Sequence, residues 1–135
     1  MINANELRIG NAVIKRDYIL FVKAISKTLH LGNNDTSDFI HDDFNYSDIS
    51  AIELTPEILY KAGFDIPEDI VSSTHTVYKL KGQSFMVAVK EGVFYYLNYC
   101  DEDNYYSTYW PELKYLHQLQ NLYFALTGKE IEIKL

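Results

Sequence analysis

Thr76–Tyr99 reads TVYKLKGQSFMVAVKEGVFYYLNY, and the way this stretch divides decides the fold. Three runs rich in β-branched and aromatic residues, Thr76–Lys81, Gln83–Val89 and Val93–Tyr99, are separated by Gly82 and by Glu91-Gly92. Runs this short favour strands over helices, and glycine-bearing breaks fold consecutive strands back on each other, so the stretch predicts a three-stranded antiparallel meander. In the first run Val77 and Lys79 alternate with Tyr78 and Leu80, which predicts one buried and one wet face. The middle run, Phe85-Met86-Val87-Ala88-Val89, is apolar throughout and predicts a central strand covered on both sides.

Beyond the meander, Cys100–Ser107 reads as an acidic, tyrosine-bearing loop. Pro111 suits the first turn of a helix, where its missing N–H costs nothing, and Gly128 suits a left-handed end, so the pattern predicts a long helix from Pro111 to Thr127. At about 100° per residue, Leu113, Leu116, Leu119, Leu122, Tyr123 and Leu126 share one arc, and His117, Gln118, Asn121 and Ala125 take the other side. Ile131, Ile133 and Leu135 alternate with Glu130, Glu132 and Lys134, which predicts a terminal strand on a sheet edge.

Upstream, Thr55 to Ala62 carries the strongest local helix signal. Thr55 is an N-cap, Pro56 takes the first helical position, Glu57 favours the positive end of the helix dipole, and Gly63 supplies the left-handed residue past the end. Leu54 and Leu59 fit a hydrophobic staple, and Phe64 can fold back on the last turn. The first fifty residues read as short strands: Ala12–Lys15 and Tyr18–Ile25 around Arg16-Asp17, then Thr28–Leu31 before a Gly32-Asn33-Asn34 turn. Leu7, Ile9 and Val13 are its first buried candidates, and Gly10-Asn11 marks a turn or bulge. Asn33–Asp48 is a polar, acidic excursion with one short strand near Asp38–His41. A curled sheet of this size has little core of its own, so it closes into an SH3-like barrel or leans on the remainder of the chain. The expectation is a single α+β domain with mostly antiparallel sheet. Residues 1–53 form an SH3-like β subdomain, and residues 54–135 add the short helix, the meander, the long helix and the terminal strand.

The chain has 135 residues, 47% hydrophobic and 15% aromatic, enough for one domain that buries roughly two-thirds of its unfolded surface. Nineteen acidic against twelve basic side chains give a formal charge of −7. Asp35, Asp38, Asp42, Asp43 and Asp48 cluster in the first third, and Asp101, Glu102 and Asp103 lie near the last. This balance repels a phosphate backbone and weighs against nucleic acid as a partner. No apolar run approaches the ~20 residues of a membrane-spanning helix. The single cysteine, Cys100, has no internal disulfide partner, and the opening Met-Ile-Asn-Ala-Asn-Glu-Leu-Arg lacks the basic start and apolar run of a signal peptide. The expectation is a cytoplasmic protein.

Three segments carry a resemblance. Glu6-Leu7-Arg8-Ile9-Gly10-Asn11, Ile52-Glu53-Leu54-Thr55-Pro56-Glu57 with Gly63-Phe64, and His117-Gln118-Leu119-Gln120-Asn121-Leu122-Tyr123-Phe124-Ala125-Leu126-Thr127-Gly128 together resemble an uncharacterised family of short proteins from gut-type anaerobic bacteria, their phages and mobile elements. The match touches both ends and the middle, and its most specific part is the "HQLQNLYFALTG" run. The resemblance implies a mobile-element origin and brings no activity, cofactor or catalytic residue with it.

Patterns that carry chemistry are missing. The sequence contains no G-x-S-x-G, H-E-x-x-H, paired C-x-x-C or G-x-G-x-x-G. Gly128-Lys129 follows a helix where a phosphate loop follows a strand, and it reads as a helix end. His41-Asp42-Asp43 with Asp35 and Asp38 lacks the glycine and closing glutamate of an EF-hand and reads as a solvated acidic loop. Cys100 reads as a small buried hydrophobe. No catalytic residue, metal or cofactor is therefore assigned. Two polar or aromatic features stand out as a candidate interaction surface: Tyr105, Tyr106, Tyr109 and Trp110, a composition favoured at contact surfaces, and His117 with Asn121, one helical turn apart. The plainer reading of the His117-Gln118-Gln120-Asn121 ridge is that its amides tie down neighbouring backbone. The expected role is a non-enzymatic protein-interaction or accessory module. The alternative is a nucleic-acid-associated accessory protein acting through the small barrel or by acidic mimicry of DNA.

Overall fold

A computed structural model describes residues 6–16, 18–25, 29–32, 39–44, 49–67, 76–97 and 109–134. The fold is α+β with two antiparallel sheets, and the chain divides into two compact units. One comprises Met1–Glu53 with Tyr115–Glu130, the other Leu54–Lys114 with Ile131–Leu135. In this division the long helix belongs with the N-terminal sheet.

In the first unit, β1 (Ala12–Lys15), β2 (Tyr18–Ile25), β3 (Leu29–Gly32) and β4 (Phe39–Phe44) form a four-stranded sheet in the order β1-β2-β3-β4. The β1–β2 hairpin pairs Lys15 with Tyr18, and Arg16 takes φ 54 at the turn, as a two-residue connection requires. Register shifts interrupt the β2–β3 ladder between Val22 and Ala24 and the β3–β4 ladder between His30 and Gly32. Among the described residues β4 does not pair back with β1, so the sheet is open. Leu7, Val13, Leu20, Val22, Leu31 and Ile49 form the core on one face. Of the expected early core residues, Leu7 and Val13 are buried but Ile9 stands out at 56% exposure.

The helix of this unit, α2, runs Leu116–Thr127. Pro111 does not open it: Tyr109–Glu112 is a strand, β9, and the helix begins five residues after the proline. A proline lacks a ladder donor and is accommodated on an edge strand, which β9 is. The start signal is instead Gln118, whose Oε1 accepts the Tyr115 N–H at 3.0 Å. Gly128 ends the helix as expected, at φ 71 with its N–H donating to Phe124 O at 2.8 Å. Leu116, Leu119 and Tyr123 are buried, and α2 packs on β1. The predicted arc is rotated, however: Leu126 is exposed, while His117 and Gln120 are buried.

In the second unit, β5 (Phe64–Asp65), β6 (Thr76–Leu80), β7 (Met86–Lys90), β8 (Val93–Leu97) and β9 form a five-stranded antiparallel sheet in chain order. The predicted meander is its centre, and Val87 and Ala88 of the middle strand are wholly buried. Glu91 and Gly92 both take positive φ, the geometry of a tight hairpin turn. β6 departs from the expected alternation, since Val77, Tyr78 and Leu80 are all buried. On the face of Tyr78, Tyr60 of the helix α1 (Pro56–Lys61) meets that ring edge-on with centroids 5.8 Å apart. In α1, Thr55 Oγ1 accepts the Ile58 N–H at 3.1 Å, Pro56 sits at the start, and Gly63 follows at φ 91. Leu54, Leu59 and Phe64 are buried as the staple predicts. The expected terminal strand is absent among the described residues. Ile131 and Ile133 do alternate inward, but the Lys134 N–H donates to Lys61 O at the end of α1 and joins no sheet. Alternating burial marks an extended chain, and a ladder needs a free sheet edge beside it.

Candidate functional site

The polar ridge of α2 meets the segment 6–12 within the first unit. Gln120 is 1% exposed, and its amide bridges two backbone groups: Oε1 accepts the Ala12 N–H at 2.9 Å and Nε2 donates to Gly10 O at 3.1 Å. Asn121 Nδ2 donates to Glu6 O at 2.7 Å, and its Oδ1 accepts from Asn11 Nδ2 at 2.8 Å and Arg8 Nε at 3.2 Å. Asn11 is itself fixed, accepting the Arg8 N–H on Oδ1 at 2.7 Å. The Arg8 guanidinium lies 4.2 Å over the Phe124 ring and forks onto both carboxylate oxygens of Glu130.

The chain path explains why these residue types stand here. Gly10 takes φ 97, donates its N–H to Val22 O and lies so close to Glu130 that a Cβ would sit 3.3 Å from Oε1. The backbone at Gly10–Ala12 turns into β1, leaving the Gly10 carbonyl and the Ala12 amide directed at α2. Side-chain amides can meet a donor and an acceptor at once, which a carboxylate or an ammonium cannot.

His117 is the exception in the ridge. Its ring is 1% exposed and stacks on Tyr115 at 5.8 Å and 11°. Neither ring nitrogen has a hydrogen-bond partner among the described residues, and Nε2 lies 3.9 Å from Glu6 Oε2. Burial lowers its pKa below the ordinary histidine value, and the Glu6 carboxylate opposes that shift.

Tyr105 and Tyr106 lie outside the described residues, as do Cys100, Asp35 and Asp38. Tyr109 and Trp110 are backbone members of the edge strand β9, with Tyr109 opposite Leu97. His117 is interior, and Asn121 is half-buried with its amide bonded to Glu6 O, Asn11 and Arg8. Among the described residues no three His, Cys, Asp or Glu side chains converge as a metal site, and no helix is long and apolar enough to cross a membrane. Arg8, Asn11 and Glu130 escaped sequence reading because their partners lie more than a hundred residues away. The exposed large apolar side chains of β2, Tyr18, Ile19 and Ile25, escaped it too. The β-branched and aromatic run predicts the strand and does not say which of its side chains stay exposed.

No family model, curated protein or solved structure matches this chain.

Proposed function

We propose that this chain is a non-enzymatic protein-interaction module, an accessory protein of phage or mobile-element type that meets a partner protein through its N-terminal sheet. The observation that carries this reading is the apolar character of the exposed part of β2, with Tyr18 71%, Ile19 40% and Ile25 40% exposed on a single strand. Ile14 of β1 stands opposite Ile19, so the two share a sheet face. Large apolar side chains left exposed along one strand favour a binding role. The polar groups that chemistry would need, Gln120, Asn121 and Arg8, are already bonded inside the protein. The test is crosslinking with mass spectrometry in the source cells, comparing wild type with Ile19→Lys/Ile25→Lys. A protein captured by wild type and lost from a variant that keeps its thermal transition supports the reading; an identical set of captured proteins refutes it.

A second reading is a nucleic-acid-associated accessory role through an SH3-like curl of β1–β4. The two register shifts favour it, because bulges bend a sheet towards closure. The −7 charge opposes direct phosphate binding and leaves acidic mimicry as the other version. Absence of gel retardation of single-stranded and duplex DNA at low salt ends the direct version, since counterion release is then most favourable.

A further inference from the structure

We infer that His117 is an acid-sensitive latch beneath the segment Glu6–Asn11, and that protonation of its ring releases this segment from α2 while the sheet stays folded.

The segment is a strap. Most of what fixes it to α2 is polar: Glu6 O and Asn11 on Asn121, Gly10 O on Gln120, and Arg8 between Asn121, Phe124 and Glu130. Leu7 is its buried apolar anchor. Under it lies a histidine ring that is fully interior and whose nitrogens make no hydrogen bond among the described residues. A neutral ring, stacked on Tyr115, leaves one donor and one acceptor unmet there but carries no charge. A protonated ring costs more, because it presents two N–H donors and a charge that need water or a partner.

The ionisable groups on the elements around the ring are Glu6 and Arg8 on the strap, Lys15 on β1, Glu53 on the stretch bridged to Tyr115, and Tyr115 itself. Of the acidic groups, Glu6 comes within 4 Å, at 3.9 Å, beyond hydrogen-bond reach and half exposed. A carboxylate that far off and that well solvated offsets little of the cost of a buried imidazolium. Solvation therefore requires the strap to lift. The sign agrees with the burial-lowered pKa of the ring: the folded state prefers the neutral form, so the closed strap is fully stable above the unfolded histidine range and weakens as pH falls through it.

The experiment follows amide exchange by NMR in the full chain from pH 7.5 to 4.5, corrected for intrinsic rates, together with the His117 Cε1–H shift. The Ala12 amide, which donates to Gln120 Oε1, is expected to lose at least tenfold in protection along the same titration curve as the His117 proton, while the Gly10 amide, which donates to Val22 O of the sheet, and Val87 in the other sheet hold their protection. His117→Phe, which keeps an aromatic ring and cannot ionise, is expected to flatten the Ala12 response. Glu6→Gln is expected to move the transition to lower pH. Constant strap protection across the range, the same loss in His117→Phe, or strap opening that does not track the His117 proton each overturns the latch. Because the wild-type comparison of ring and strap stands alone, it decides the matter even where His117→Phe does not fold.

Discussion

Replacing Gln120 by leucine separates two accounts of why α2 holds the N-terminal sheet. If α2 adheres through apolar area alone, leucine at a site 1% exposed is neutral or stabilising, since it exchanges an amide for an apolar group of similar size. If the amide's bridge matters, the substitution strands the Ala12 N–H, on a residue with no exposure, and the half-buried Gly10 carbonyl. An unsatisfied buried donor costs about 1–3 kcal/mol. The stranded Gly10 carbonyl adds about 1 kcal/mol to that cost and the added apolar burial returns about 1 kcal/mol, so Gln120→Leu should destabilise by about 1–3 kcal/mol net. Gln120→Ala loses the same bonds and leaves a cavity as well, worth about 2 kcal/mol more. With a urea slope of about 1.5 kcal/mol/M, the leucine variant's midpoint falls by roughly 1 M. Equilibrium urea unfolding followed by far-UV circular dichroism gives the order wild type, Gln120→Leu, Gln120→Ala. A leucine variant at or above the wild-type midpoint refutes the bridge as a source of stability.

Other outcomes hang on single sites. Gly128→Ala should cost about 1 kcal/mol, because the left-handed φ of 71 is strained for alanine and its Cβ meets nothing within 4 Å; Gly10→Ala should cost more, adding the close approach of Glu130 at a φ of 97. Both are measured by denaturant midpoint. Thr55→Ala should cost about 1 kcal/mol through loss of the Ile58 cap, read as a lower thermal midpoint. Tyr78 has its pKa raised, by burial first and then by neighbouring Tyr60, so the folded state favours the neutral phenol. Its contribution is complete below the unfolded tyrosine range near pH 10 and is lost as pH rises beyond it. Tyr78→Phe should therefore lessen the alkaline loss of stability seen in denaturant midpoints between about pH 9 and 11.

Local signals were legible wherever a few neighbouring residues determine geometry. Thr55-Pro56 and Gly63 bound α1 because caps and left-handed glycines act within one turn, and Glu91-Gly92 placed a hairpin for the same reason. The strands β1 and β2 fell where β-branched runs predict them. Pro111 misled because two environments tolerate a missing N–H, the first turn of a helix and a sheet edge, and the choice depends on whether β8 offers a pairing edge. The predicted arc of α2 misled similarly. Leucine positions fix which side of an isolated helix is apolar, yet the side that is buried is set by what docks on it. Here backbone groups of Gly10 and Ala12 require an amide, so Gln120 is interior and Leu126 is not.

That reversal bears on function. A histidine, two amides and an arginine gathered beside a carboxylate have the composition of a reactive centre, and composition alone does not distinguish chemistry from carpentry. Bonding does: the Asn121 amide commits its donor and acceptor to the strap, Gln120 commits both to backbone, and Arg8 is held by Glu130. Groups bonded in this way hold the strap to α2. The polar side chain of the ridge whose donor and acceptor both stand unused among the described residues is His117, and it lies under the segment that the others hold down. Whatever the chain responds to within this unit, the place where a single added proton unbalances the arrangement is therefore that ring.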